Sequence, residues 1–297
     1  MYAHKEEHSI VKMCKVLNVS TAGYYRWRKR QEDDKTERDR FNQLLDDRIL
    51  FHFNDNLGTY GSPRIHHLLI REDLKVSEKK VANRMRELGL FAMPPKKYIH
   101  TTDSDHVKKV YRNELDRNFR PEAPNKAWAT DITYIHTGEG FLYLNPVLDL
   151  FSRRVISYAV DDHMDQSLPL RALRRAIAER NPSEGWIHHS DRGSQYCSTR
   201  YIDELLETKA TISMSRKGTP YDNACVESFF ASLKKEYIYK HVFKTKAEAI
   251  AAIDFYINFY NRKRIHSTLG YASPIGYEKA YEMAQRQVAC KGHITSA

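Results

Sequence analysis

No apolar run of roughly 18 residues or more occurs in this 297-residue sequence, so no helical membrane span is expected. The N-terminus, Met1 to Ile10, has no apolar stretch behind its charges, which excludes a secretory signal. Cysteine is scarce. Cys14, Cys197, Cys225 and Cys290 form no C-x-x-C pair, which argues against a disulfide framework or a zinc knuckle and fits a reducing cytoplasm. No internal repeat or low-complexity segment stands out. Wholesale disorder is also excluded, because 41% of the residues are apolar and 29% charged, an ordinary globular balance.

What is present is positive charge. Lys+Arg number 48 against 38 Asp+Glu, a net charge of +10. A basic chain with no export signal has nucleic acid as its expected polyanionic partner. The excess is uneven: residues 1–120 hold 25 basic and 18 acidic residues, leaving 23 and 20 for the remainder. That places a DNA-contacting part in front of a nearly balanced one; a solubilising surface bias is the competing reading.

The front part reads as helices. Ile10, Cys14 and Leu17 share a helical face, Asn18-Val19-Ser20 turns, and a second helix runs through Tyr24 and Trp27 into the basic Arg26, Arg28, Lys29 and Arg30. This is consistent with helix-turn-helix or with a plain helical hairpin. A mixed-charge helix follows, from Glu32 to Phe51. A second pair starts at Tyr60-Gly61-Ser62-Pro63, with Pro63 suited to a first helical turn. Ser77 is a good N-cap for its partner, in which Val81, Met85 and Leu88 line one face and Gly89 ends the run. The opposite face carries Lys79, Lys80, Asn83, Arg84 and Arg86, side chains suited to a major groove or to plain solvation. Residues 91–125, with Pro94-Pro95, Lys96-Lys97 and the polar run Thr101 to Asp105, read as a linker.

At Trp128 the period changes to two. Trp128 to Ile135, Phe141 to Leu150 and Arg154 to Val160 read as three hairpin-linked antiparallel strands. They are followed by a helix (166–180), a short strand (186–189), a helix (199–206), a short strand (211–214) and two helices (223–237 and 247–260). This is the element order of a ribonuclease-H-like α/β fold.

Three acids stand out within that order. Asp131 falls inside an expected strand, where Asp is depleted. Asp191 directly follows a short strand, and Glu227 lies near the apolar stripe of a helix. Each alone has a structural explanation, for Glu227 a complement to the helix dipole. Together they can converge, with 59 residues between Asp131 and Asp191 and 35 between Asp191 and Glu227. Three carboxylates around a phosphate suit a pair of hard cations roughly 3.5–4 Å apart that promote in-line displacement.

The flanking residues resemble a known family. Tyr60 to Ile65 (YGSPRI), Trp128 to Tyr134 (WATDITY), His189 to Tyr196 (HSDRGSQY), Ser215 to Ala224 (SRKGTPYDNA), Glu227 to Phe230 (ESFF) and the block from Tyr260 through His266 to Pro274 are similar to bacterial insertion-sequence transposases. More narrowly, the chain resembles the downstream reading-frame product (OrfB) of two-frame elements in the retroviral-integrase-like DDE class. The resemblance implies a ribonuclease-H-like integrase catalytic core, a mixed five-stranded sheet with helices on both faces, preceded by an all-α helix-turn-helix region. It implies an N-terminal helical region (1–50), a helix-turn-helix-like region (51–100), a linker (101–125), the core (126–240) and a C-terminal helical extension with a basic block (241–297). Asp131, Asp191 and Glu227 are then the catalytic and metal-holding residues, with Mg²⁺ (or Mn²⁺ as substitute) in two sites. A basic residue is expected seven positions after the Glu, and Lys234 is there, sharing a helix face with Glu227.

Expected DNA contacts are Lys79, Lys80, Arg84 and Lys234, together with Arg262, Arg264 and His266 after the last strong helix. C-terminal capping by cations is the alternative for the last group. His188 and His189 could be metal ligands, but at least one is read as supporting rather than ligating; Asp222 and Asn223 are read as caps of the Glu227 helix, and Cys225 as buried. The implied reaction is metal-dependent strand cleavage and strand transfer on terminal inverted repeats and target DNA. Self-association in a synaptic complex and an upstream-frame polypeptide are the implied partners, in a bacterial, nucleoid-associated setting. A DNA-binding regulator with an unused catalytic domain and a nuclease acting on RNA–DNA hybrids are the rival classes.

Overall fold

The computed structural model describes residues 1–32, 37–92 and 109–294. The Pro94-Pro95, Lys96-Lys97 and Thr101 to Asp105 stretches of the expected linker lie outside them. The chain divides into two compact units. One comprises Met1–Asp55 and Gly61–Phe91; the other comprises Asn56–Tyr60 and the chain from Ala92 onward.

The first unit is helical: α1 (Ile10–Val16), α2 (Thr21–Glu32), α3 (Glu37–Asp55), α4 (Ser62–Arg71) and α5 (Glu78–Glu87). Among the described residues of α1 and α2, Cys14 and Tyr24 are buried, whereas Leu17 is exposed. The α3–α5 group has a proper core of Leu45, Ile49, Ile65, Leu69, Val81 and Met85. Pro63 sits in the first turn of α4. The Ser77 hydroxyl accepts from the Lys80 N–H at 3.3 Å and caps α5, satisfying a backbone donor that the helix leaves open.

The second unit is built on one six-stranded sheet: β1 (Ala127–Thr130), β2 (Thr133–Thr137), β3 (Gly140–Asp149), β4 (Val155–Asp161), β5 (Ile187–Ser190) and β6 (Thr211–Met214). The expected single strand from Trp128 to Ile135 is broken at Asp131-Ile132. Its two halves lie along the same edge of β3, β2 against residues 140–144 and β1 against 147–149, while β4 takes the other edge. Five strand positions therefore hold six strands. The β1–β3, β2–β3 and β3–β4 pairs are antiparallel, and β1–β5 and β5–β6 are parallel.

Alternation along the strands sends side chains to two cores. On one face Ala129, Leu144 and Leu148 pack with Val226, Phe229 and Leu233 of α8 (Ala224–Glu236) and Ile253 and Tyr256 of α9 (Lys246–Arg262). On the other, Trp128, Val147 and Ile156 pack with Leu173 of α6 (Ser167–Arg180) and Tyr201 of α7 (Thr199–Glu207). The start of α9 is fixed by a reciprocal cap between Thr245 and Glu248. The last helix, α10 (Pro274–Ile294), is held by buried Glu278, which accepts from Ser152, Arg154 and Arg180 at 2.8–2.9 Å.

Residues 109–125 depart from the linker expected there. The Met214 N–H donates to the Arg112 carbonyl at 3.1 Å and the Leu115 N–H to the Ser213 hydroxyl at 2.9 Å, with Leu115 buried. The segment thus lies along the open edge of β6, whose backbone groups need partners.

Candidate active site

β1 and β5 are parallel neighbours in a register that pairs Ala127 with Ile187, Trp128 with His188 and Ala129 with His189. Carried two residues further, that register sets Asp131 opposite Asp191. Each aspartate is the first residue beyond the C-terminal end of its strand, the end of a parallel sheet at which sites are commonly built. Local hydrogen bonds orient both carboxylates. Asp131 Oδ1 accepts from the Ile132 N–H at 2.8 Å, and Asp191 Oδ1 accepts from the Gly193 N–H at 2.8 Å.

Glu227 comes from the first turn of α8. Asn223, at the head of that helix, donates from Nδ2 to the Thr130 carbonyl at 3.2 Å, which ties the helix start to the residue before Asp131. Asp222 is held by the Arg216 N–H at 3.0 Å and the Arg117 Nε at 2.8 Å. Neither residue caps α8 through its side chain, contrary to expectation; both anchor the loop that delivers the helix.

The three acids share one electrostatic environment. Burial raises the Asp131 carboxyl well above the usual aspartate range, the charge of Asp191 raises it further, and Glu227 adds to this. The Ile132 N–H and Lys234 oppose the rise. Lys234 is itself buried, with Nζ 5.0 Å from the Tyr134 ring centre. Three negative groups with one buried lysine beside them form a concentration of charge that divalent cations would relieve, and carboxylate oxygens are the donors such hard ions prefer. The triangle is open. Among the described residues only Asp161, Asp162 and His163 bring three ligand atoms within 4.8 Å of one another; the three acids stand wider apart than one closed cage.

The histidines support the site from below. His188 Nε2 meets the Tyr201 hydroxyl at 2.7 Å, and His189 lies between the Ser213 and Ser215 hydroxyls at 2.8 and 3.1 Å. Burial pushes them down to about 3 and about 4, so both rings are neutral in the fold. Cys225 is half-buried beside Arg153, and burial raises its thiol.

The expected DNA-contacting residues separate into two groups. Lys79 and Arg262 are exposed. Lys80 is partly covered, with its Nζ 4.6 Å from the Phe41 ring centre. Arg84 is taken up by ion pairs to Asp46 and Glu87, so its guanidinium stabilises the helical group instead of reaching outward. Arg264 is buried against Glu236 at 2.6 Å, which removes it from any DNA-facing surface. His266 packs edge-on against Tyr260 and adjoins Arg264. Sequence reading missed Asn145 and gave no role to Tyr196 at the end of the HSDRGSQY block; their buried polar ends meet beside Asp131, and an isolated Asn inside a strand carries no spacing signal.

Comparison with known proteins gives the family. Residues 121–220 and 208–274 match two models described as integrase core domain, and residues 40–98 match an HTH-like domain. The chain is 40% identical over 276 residues to transposase InsF of insertion sequence IS3A from Escherichia coli (strain K12), covering 93% of this chain and 96% of that one. The chain belongs to the insertion-sequence transposases of the IS3 type. This transposase is also 39% identical over 274 residues to the 31 kDa protein of insertion element IS600 from Shigella sonnei, covering 92% and 100% of the two chains. Among solved structures, the catalytic core of HTLV-2 integrase in complex with magnesium aligns with a TM-score of 0.43 at 17% identity, over 54% of this chain and 99% of that one. The simian T-cell lymphotropic virus intasome aligns at 0.44 and 18%, over 70% and 66%. The transposase is accordingly an enzyme of the DDE polynucleotidyl transferase class, which cuts and transfers DNA strands when an insertion sequence moves. None of its described helices is long and apolar enough to cross a membrane.

Proposed function

We propose that Asp131, Asp191 and Glu227 form the metal-holding catalytic centre of this transposase. The observation that carries the reading is the β1–β5 register, which sets the two aspartates side by side beyond adjacent strand ends, together with the shared electrostatics of Glu227. Two Mg²⁺ ions, with Mn²⁺ as a substitute, would supply activation of the attacking hydroxyl and stabilisation of the leaving oxygen. Lys234 then offers its ammonium to a phosphate oxygen next to the scissile bond, in a buried setting where the attraction is poorly screened. The sheet and α8 hold this group of side chains on rigid elements.

Exposed Lys79 and partly covered Lys80 of α5, with Arg262 at the end of α9 and His266 beyond it, are the other residues proposed to touch the DNA backbone. Terminal inverted repeats and target DNA are the proposed substrates. A synaptic assembly of several copies and an upstream-frame polypeptide are the proposed partners, in a nucleoid-associated setting.

The test is a joining reaction on duplex oligonucleotides carrying the element ends, with Mg²⁺ or Mn²⁺. The reading predicts metal-dependent nicking at the element end and covalent joining of that end to a second duplex. Cleavage of an RNA–DNA hybrid without any joining would overturn it in favour of a hybrid nuclease, and DNA binding without nicking would favour a regulator.

A further inference from the structure

Asn145 of β3 is fully buried. Its Nδ2 lies 2.8 Å from the Asp131 carbonyl, 2.9 Å from the Thr130 hydroxyl and 2.7 Å from the Tyr196 hydroxyl. Thr130 in turn donates to the Pro146 carbonyl at 2.8 Å. Tyr196 is also buried and comes from the turn that follows Asp191. One amide therefore contacts the backbone of the first aspartate and a side chain rooted in the loop of the second. An amide NH₂ has two hydrogens, so the three oxygens share them only while all three converge.

Such a polar knot is costly, the more so because Asn145 Oδ1 is buried without a hydrogen-bond partner, and an apolar pair would fill the same space in a core of this kind. What it adds is position. Asp131 sits at a break in a strand, and Asp191 sits past a strand end, ahead of a turn. Neither is held in place by the sheet ladder itself. Tyr196 is buried close enough to both aspartates to feel their charges.

We propose that Asn145 and Tyr196 form a brace that sets the separation of Asp131 and Asp191, and through it the affinity for a divalent ion held between them. Both are positioning residues. The inference rests on the metal-holding reading of the acids given above.

The experiment measures Mn²⁺ binding to the full chain by electron paramagnetic resonance, without DNA and without turnover. Tyr196→Phe keeps the ring, which packs 5.4 Å from Tyr201, and removes only the hydroxyl. Asn145→Ser keeps a donor but shortens its reach, and decides the matter if the first variant fails to fold. The expected result is about 10-fold or more weaker Mn²⁺ binding, the scale typical of residues that orient ligands. Joining activity should return at saturating metal, so that the effect falls on the metal concentration for half-maximal rate and not on the maximal rate. Mn²⁺ binding equal to wild type in the folded variants would overturn the brace. Asp131→Asn serves as the control: if it too binds Mn²⁺ like wild type, the metal-holding reading fails rather than the brace.

Discussion

Arg264 donates from Nε and Nη2 to both carboxylate oxygens of Glu236, at 2.7 and 2.6 Å, with both side chains almost withdrawn from solvent. The Tyr256 hydroxyl donates to the same carboxylate at 2.7 Å. The ion pair locks the end of α9 onto α8, the helix that carries Glu227.

Removing one partner of a buried pair leaves the other charge uncompensated, so Arg264→Ala should destabilise the fold by about 3–5 kcal/mol. The salt dependence of DNA binding by the folded variant should match wild type. Arg262→Ala should behave in the opposite way, leaving the melting temperature unchanged and lowering the salt slope by about 1. Chemical denaturation and salt titrations of DNA binding check both. A stable Arg264→Ala with a shallower slope would return Arg264 to the DNA-facing surface.

Gly193 supports Asp191 through its N–H, and a Cβ at this position would come within 3.0 Å of Asp191 Oδ1 and 3.1 Å of Gln195 Oε1. Gly193→Ala should therefore push the Asp191 carboxylate aside and reduce strand joining about 10-fold or more, since small misplacements of reacting groups are costly. Its melting temperature should stay close to wild type, because the neighbours that must give way are side-chain ends. Joining assays and thermal melts decide it; full activity would show that Asp191 tolerates displacement.

His188 and His189 make the fold acid-sensitive. Their folded-state values of about 3 and about 4 lie below the ordinary histidine value, so the unfolded chain takes up protons first as pH falls. Their contribution to stability is complete above about pH 6.5 and is lost progressively below it. From pH 6.5 to 5 the two rings together cost about 4 kcal/mol, at about 1.4 per unit per ring. Asp149, raised to about 6 by burial, acts the other way and stabilises the fold as pH falls through that value, by about 1.4 kcal/mol per unit. Asp131, which burial also raises, acts in the same direction as Asp149, so the part due to a histidine is read from the difference between wild type and variant. Between pH 7 and pH 5 the melting temperature of His189→Gln should fall less, or rise more, than that of wild type. An equal slope in that variant would show that His189 is protonated in the fold.

Most elements were legible in the sequence because their signals are local: β6 and α8 show in short apolar runs and helical periods. The acid trio was read from the 59- and 35-residue gaps and their flanking blocks, and it remains the proposed site. The break between β1 and β2 was not legible, since alternation continues through Asp131-Ile132. It is made by partners distant in sequence, with Asn145 of β3 drawing in the Asp131 carbonyl. The docking of residues 109–125 was hidden for a similar reason. That segment is held by the backbone bond from Met214 to Arg112, by polar contacts such as Leu115 N–H to the Ser213 hydroxyl and Arg117 to Asp222, and by Leu115 as its buried anchor, so its composition resembles a linker. Arg264 stands in a basic block whose neighbours Arg262 and Lys263 are exposed; only the packing of α9 on α8 separates them.

The central claim is that Asp131, Asp191 and Glu227 act as one metal-dependent centre. Joining of a pre-cut element-end duplex to target DNA, measured in Mn²⁺ for Asp131→Asn, Asp191→Asn and Glu227→Gln, tests it most directly. Each substitution should abolish joining to below about one-thousandth of wild type, the scale of loss when a member of a unit that acts together is removed, while DNA binding persists. Wild-type joining by any one of the three folded variants would contradict the account.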